Sequence, residues 1–142
     1  MNEDVTLLKA VYNSSKKASA TLGALLPHVE NKSLRTTMLS QIYEYDAINR
    51  RAGEEIISLG MKPKEQKKLK NKFSLIGKSV SAGIDPSLSH IAEIITDEAN
   101  SYKKETTRTM NRCQNSRPQV YNLARMLINA DKESGEKLKK YL

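Results

Sequence analysis

Apolar residues recur along this chain at the spacing of helical turns, in runs long enough for helices of five turns or more. Projected at about 100° per residue, Leu8, Val11, Ala18, Leu22, Leu25 and Val29 share one face of a first segment, with Ser15 in the middle of it. A second segment, starting near Ser33, aligns Leu34, Met38, Ile42, Tyr45, Ala52, Ile56 and Leu59 around one polar residue, Asn49. A third aligns Leu88, Ile91, Ala92, Ile95, Ala99, Tyr102, Thr106, Met110 and Cys113. The last long segment, from Pro118 to the end, aligns Val120, Leu123, Leu127, Ala130, Leu138 and Tyr141 with Asp131 and Ser134 among them. Each stripe is the core face of a helix in a bundle.

Glycine and proline fall between these runs. Gly60 suits the residue after a helix C-terminus, and Pro86 and Pro118 suit the first turn of a following helix. Between the second and third runs lies a shorter stripe, Leu69, Phe73, Ile76, Val80 and Ile84, in a segment of about 62–85. As a helix of about 20 residues it would span roughly 30 Å, which is what a crossover between two parallel helices requires. The pattern therefore predicts one all-α domain over residues 1–142: an up-down four-helix bundle with a long helical crossover between helices 2 and 3, the ferritin-like arrangement.

Charge adds one feature. The net charge is +8, and residues 62–78 hold seven lysines, among them Lys64, Lys67, Lys68, Lys70 and Lys72, against the single acid Glu65. Clustered cations suit phosphate or an anionic surface. Phe73 is the only aromatic in that segment, however, so a stacking platform for bases is missing. Lysines flanking an apolar stripe solubilise a surface helix by snorkelling, and nucleic acid is not expected as the partner.

Candidate chemistry is sparse. A di-iron bundle needs a Glu from each of two helices and Glu-x-x-His from each of the other two, all pointing inward. The first run has no carboxylate between Asp4 and Glu30, the last has no histidine, and His28 stands beside Pro27 at a helix end. The one helical His/Glu pair, His90 and Glu93, runs in the reverse order and projects with Asp97 to the outer side of the third helix. These three are the candidates for a single metal, at the surface or at a subunit contact; no cofactor is expected. An outward pair of this kind is expected instead to be solvated or packed on a neighbour, and the crossover lysines are expected to meet Glu93 and Asp97. Ser15, Asn49, Tyr102 and Asp131 fall on the core faces of four different helices, each near its middle. They are the candidate polar layer, hydrogen-bonded around Asp131 or holding a small polar ligand. Cys113, the sole cysteine, lies on an apolar arc and is read as a buried, inert thiol.

Four stretches carry a resemblance: "LLKAVYNSSKKA" in the first helix, "SQIYEYDAI" in the second, "GIDPSLSHIAEII" entering the third and the C-terminal "EKLKKYL". The chain resembles a group of small bacterial ferritin-like bundle proteins of uncharacterised function. The resemblance implies the bundle fold and a cytoplasmic setting, and no activity. The expected function is that of a non-enzymatic scaffold or interaction protein. Two alternatives stand beside it: a bundle that binds a metal or small ligand, and weak binding of nucleic acid or an anionic surface through the lysine-rich segment. Leu39, Tyr43 and Ile57 lie off the core stripe of the second helix, where they are expected to meet the crossover helix or a second subunit in a homodimer, with another protein as the remaining possible partner. No apolar run reaches the length of a membrane span.

Overall fold

The computed structural model describes residues 2–63 and 87–142, and within them it is all-helical. Four helices pack together: α1 (Asn2–Leu25), α2 (Lys32–Ser58), α3 (Leu88–Arg112) and α4 (Pro118–Leu138). Short 3₁₀ turns follow α1 at Leu26–His28 and α4 at Lys139–Tyr141. Lys64, Lys67, Lys68, Lys70, Lys72 and Pro86, with the apolar stripe from Leu69 to Ile84, lie outside the described residues.

Local chemistry sets the ends. Asn31 caps α2, its side-chain oxygen accepting from the Leu34 N–H at 2.9 Å, and Ser87 caps α3 by accepting from the His90 N–H at 3.2 Å. Gly60 ends α2 in the left-handed region at φ 78°. Its N–H bonds the Ile57 carbonyl at 2.9 Å while the Met61 N–H reaches back to Ile56 at 3.2 Å, the paired closure that a glycine at this point allows. Pro118 opens α4 in its first turn, where a missing N–H costs nothing.

α1 pairs with α2 and α3 with α4; α1 also packs on α3 and α2 on α4, so α2 and α3 stand at diagonal corners. The glycine at 53 lets α1 approach α2 closely, since a β-carbon there would stand 3.2 Å from the Tyr12 ring. At one end of the bundle Arg117, preceding α4, meets Asp4 from the start of α1 and Glu55 from the end of α2. At the other end His28, Val29 and Asn31 border one groove with Leu88 and Ile91, and the hydroxyls of Ser33 and Tyr141 share a hydrogen bond of 2.5 Å. α2 and α3 therefore run parallel. The 27 residues of α2 make a rod of about 40 Å.

The core follows the four stripes but does not coincide with them: Leu7, Ile48 and Ala124 are buried beside the stripes, whereas Leu88, expected on the core face of α3, is exposed where that helix begins. Leu7, Leu8, Val11, Leu25, Leu34, Met38, Ala52, Ala92, Val120, Ala124, Leu127 and Leu138 are wholly enclosed, and burying such side chains contributes about 1.5–3 kcal/mol each for the larger ones. Cys113 is buried at the end of α3, and burial raises its thiol above the ordinary value, which keeps it protonated and unreactive. No described helix is long and apolar enough to cross a membrane.

The polar clasp at the first end has no counterpart in the sequence pattern. Asp4 is buried; one carboxylate oxygen accepts from the Arg117 backbone N–H at 2.8 Å and the other from Arg117 Nε at 2.6 Å. Burial works to raise the Asp4 carboxyl, but the two hydrogen bonds and the guanidinium charge outweigh it and hold the group below its ordinary value. Such a carboxylate contributes stability above the ordinary carboxylate range and loses it as pH falls through the lowered value. Replacing Asp4 by Ala is expected to cost about 2 kcal/mol at neutral pH. Urea titrations should find that this difference shrinks as the solution is made strongly acidic.

Candidate functional site

The centre of the bundle is where polar side chains meet. Asp131 on α4 is 1% exposed, in a position where an unpartnered carboxylate would cost several kcal/mol. Tyr45 on α2, also buried, donates its hydroxyl proton to Asp131 Oδ1 at 2.6 Å, tying two helices across the core. One helical turn away in α3, Tyr102 donates to Glu98 on its own helix. Thr21 of α1 and Ser134 of α4 complete the group, together with Tyr45, Glu98 and Tyr102, around a cavity of about 10 Å³. That volume is about what one water molecule needs.

The electrostatics follow from burial. Burial pushes the Asp131 carboxyl up to about 7, against the Tyr45 hydrogen bond and the Lys103 charge, both of which favour the ionised form. Burial, the Asp131 charge and the hydrogen bond to Asp131 hold the Tyr45 phenol protonated far above its usual range. Tyr102 is raised in the same way, by burial and then by its hydrogen bond and proximity to Glu98. Neither tyrosine is a source of phenolate near neutral pH. Ser134 lies near enough to the Tyr45 hydroxyl to favour its ionisation slightly, and Thr21 does the same to Tyr102. Neither hydroxyl reaches hydrogen-bond geometry, however; Thr21 Oγ1, Ser134 Oγ and Asp131 Oδ2 are buried without a partner among the described residues.

The four residues expected in one polar layer occupy two levels. Ser15 is fully enclosed and donates to the Val11 carbonyl at 2.7 Å, while Asn49 Nδ2 donates to the Tyr12 carbonyl at 2.8 Å and to Ser15 Oγ at 3.3 Å. This pair joins α1 to α2. Asp131 finds its partner in Tyr45, one turn along α2 from Asn49, and Tyr102 finds its partner in Glu98. Tyr45 appears in the sequence only as a member of an apolar stripe, and Glu98 stands beside the stripe of α3. The signal that marks them is a tyrosine or acid at mid-helix close to a core face, where its polar tip needs a partner.

The outward residues of α3 lie where the projection puts them. Glu93 and Asp97 are exposed and His90 is half-buried. Among the described residues, no group of three or more His, Cys, Asp or Glu side chains is placed to hold a metal ion. The lysines expected to meet Glu93 and Asp97 fall outside the described residues. Further along α3, Asn100, Ser101, Lys103, Lys104, Thr107 and Arg108 border an open groove of about 660 Å³ with Ile128 of α4. Its lining carries three cations and no acid. The chain matches no protein-family model, no curated protein and no solved structure.

What the buried cluster can do chemically is hold a proton. Between the ordinary aspartate value near 4 and about 7, the folded chain keeps a proton on Asp131 that the unfolded chain has released. Stability from this group is fully present below about 4 and is lost as pH rises through about 7. Relative to Asp131→Asn, the wild-type chain is expected to lose stability across that window, by on the order of 4 kcal/mol at most, and to level off above it. A series of urea midpoints for the two proteins checks the slope. Tyr45→Phe, which removes the hydroxyl that Asp131 Oδ1 accepts from, is expected to cost about 1–3 kcal/mol, whereas Thr21→Val, which removes a hydroxyl with no partner among the described residues, is expected to change stability by less than about 1 kcal/mol.

Proposed function

We propose that the chain is a non-enzymatic ferritin-like bundle that acts in a bacterial cytoplasm as a scaffold or interaction protein, through its outer surface. The observation that carries this reading is a contrast of size. The polar centre encloses about 10 Å³, room for one water molecule, while Leu39, Tyr43 and Ile57 on the outside of α2 are 51, 80 and 61% exposed. A substrate has nowhere to sit among the interior groups, whereas a protein partner has an apolar handle outside. The ferritin-like topology, with its long crossover between the second and third helices, is supported by the parallel course of α2 and α3 at diagonal corners. Tyr45, Asp131, Ser15 and Asn49 then serve to fix the register of the helices.

Metal analysis of protein purified without chelators tests this reading against the metal-binding one. Iron, manganese and zinc are all expected well below one ion per chain. A stoichiometric ion that disappears with His90→Ala would replace the scaffold reading by a metal site at His90, Glu93 and Asp97.

A second reading is favoured by the groove on α3. Lys103, Lys104 and Arg108, with the hydroxyls of Ser101 and Thr107 beside them, extend the anionic-surface alternative beyond the lysine-rich segment. Neutralised phosphates make binding fall steeply with salt. On the scaffold reading, titration with duplex DNA is expected to give no measurable binding even at low salt. Salt-sensitive binding that weakens with Lys104→Ala and Arg108→Ala would establish the anionic partner instead.

A further inference from the structure

The outer face of α2 has an order that its exposure alone does not convey. Leu39, Tyr43, Asp46, Arg50, Glu54 and Ile57 recur at three- and four-residue steps, all exposed. At about 100° per residue they fall within an arc of about 80°, on the side of the helix opposite the core residues Leu34, Tyr45, Ile48 and Ala52. Arg50 and Glu54 have no ion-pair partner among the described residues. Asp46 accepts a hydrogen bond from Ser19 of α1 at 2.5 Å, which fixes its carboxylate at the edge of this face.

The stripe reads Leu39, Tyr43, Asp46, Arg50, Glu54, Ile57: its two ends are apolar, and Asp46 and Arg50, the charges that flank its midpoint, are of opposite sign. Reversal exchanges acid for base. Ile48 is the midpoint: Leu39 and Ile57 lie nine residues to either side of it, and Asp46 and Arg50 lie two. An antiparallel copy of the same helix, related by a two-fold axis at the level of Ile48, therefore sets every acid of the central pair against a base. Leu39 meets Ile57 twice, and Asp46 meets Arg50 twice. Two-fold interfaces are self-complementary in this sense, residue i contacting j while j contacts i. Charges flanking an apolar seam select the orientation of helix pairs.

We propose that this face is a homodimer surface, in which α2 packs antiparallel on α2 of a second copy with Asp46 paired to Arg50 of the partner subunit. The proposal deepens the surface-acting reading above by naming the partner, and it rests on that reading. A foreign partner would need its own matching order of charges, whereas a second copy supplies it by symmetry. The seam from Leu39 to Ile57 is about 27 Å long. A single helix face of that length buries less than the roughly 800 Å² per partner of a standard interface, so the association is expected to be reversible and to appear at high protein concentration.

Charge reversal tests the register. By sedimentation of the full chain over a concentration series, the wild type is expected to dimerise, and Asp46→Arg and Arg50→Asp are each expected to lose the dimer, since each makes both central pairs like-charged. An equimolar mixture of the two variants is expected to recover it as a heterodimer, because each reversed chain then complements the other. Circular dichroism confirms that both exposed substitutions leave the helices intact. A wild-type chain that stays monomeric overturns the dimer and leaves the surface-acting reading to its own test by metal analysis. Dimerisation undiminished in both single variants overturns the register, and so does a mixture that remains monomeric. A Tyr43→Asp chain that is strongly destabilised as a monomer would assign the face to residues 64–86 of the same chain and would likewise overturn the proposal.

Discussion

A carboxyl group in the middle of a small bundle has to be answered by something, and Asp131 is answered by Tyr45. The hydrogen bond between them joins α2 to α4 across the buried centre, and its demands reach outward. A shift of one turn along α2 would replace the phenol with the shorter side chain of Gln41 or Asn49, and Asn49 Nδ2 is already committed to the Tyr12 carbonyl. The neighbouring positions must be small or hydroxylated to leave space for both tips, and Ala18, Thr21, Ala99 and Ser134 are. Apolar packing alone tolerates sliding of helices along one another; a bond between two buried polar tips does not. The pair of Ser15 and Asn49 applies the same discipline between α1 and α2 one turn away.

Much of this was legible in the sequence because the core faces are long and regular. The four stripes locate the four helices, and the punctuation at Gly60 and Pro118 marks where α2 stops and α4 starts. The grouping of the polar residues was not legible. Ser15, Asn49, Tyr102 and Asp131 each sit near the middle of a core face, but periodicity fixes angle around a helix and leaves height along the bundle undetermined to within a turn. Tyr45 was hidden for a different reason: at the level of patterning, a tyrosine counts as apolar until a partner for its hydroxyl is known. Thr21 and Gln41, both buried, were hidden because isolated polar residues are common on exposed helix faces.

The two ends of the molecule are held differently from its centre. Inside, contact is between neighbouring helices through interleaved side chains. At the ends, single polar contacts close the loops: Asp4 and Glu3 take the N–H groups of Arg117 and Asn115, and Tyr121 bonds the Cys113 carbonyl across the turn between α3 and α4. Acidic side chains in the first turn of α1 thus serve a helix that is not their own, which satisfies donors that a tight loop would otherwise leave bare.

The clasp at Asp4 also orders events in time. Its partner lies 113 residues further along the chain, and the contact of Ser33 with Tyr141 spans 108. During synthesis α1 and α2 can pair as soon as both have emerged, but the start of α1 must wait with an unmatched carboxylate until the chain has been made as far as Arg117. Contacts between such distant residues slow folding, because the loop between them has to close before they repay it. Closure of the bundle is therefore a late step, completed by the segments around Asp4 and Arg117 together.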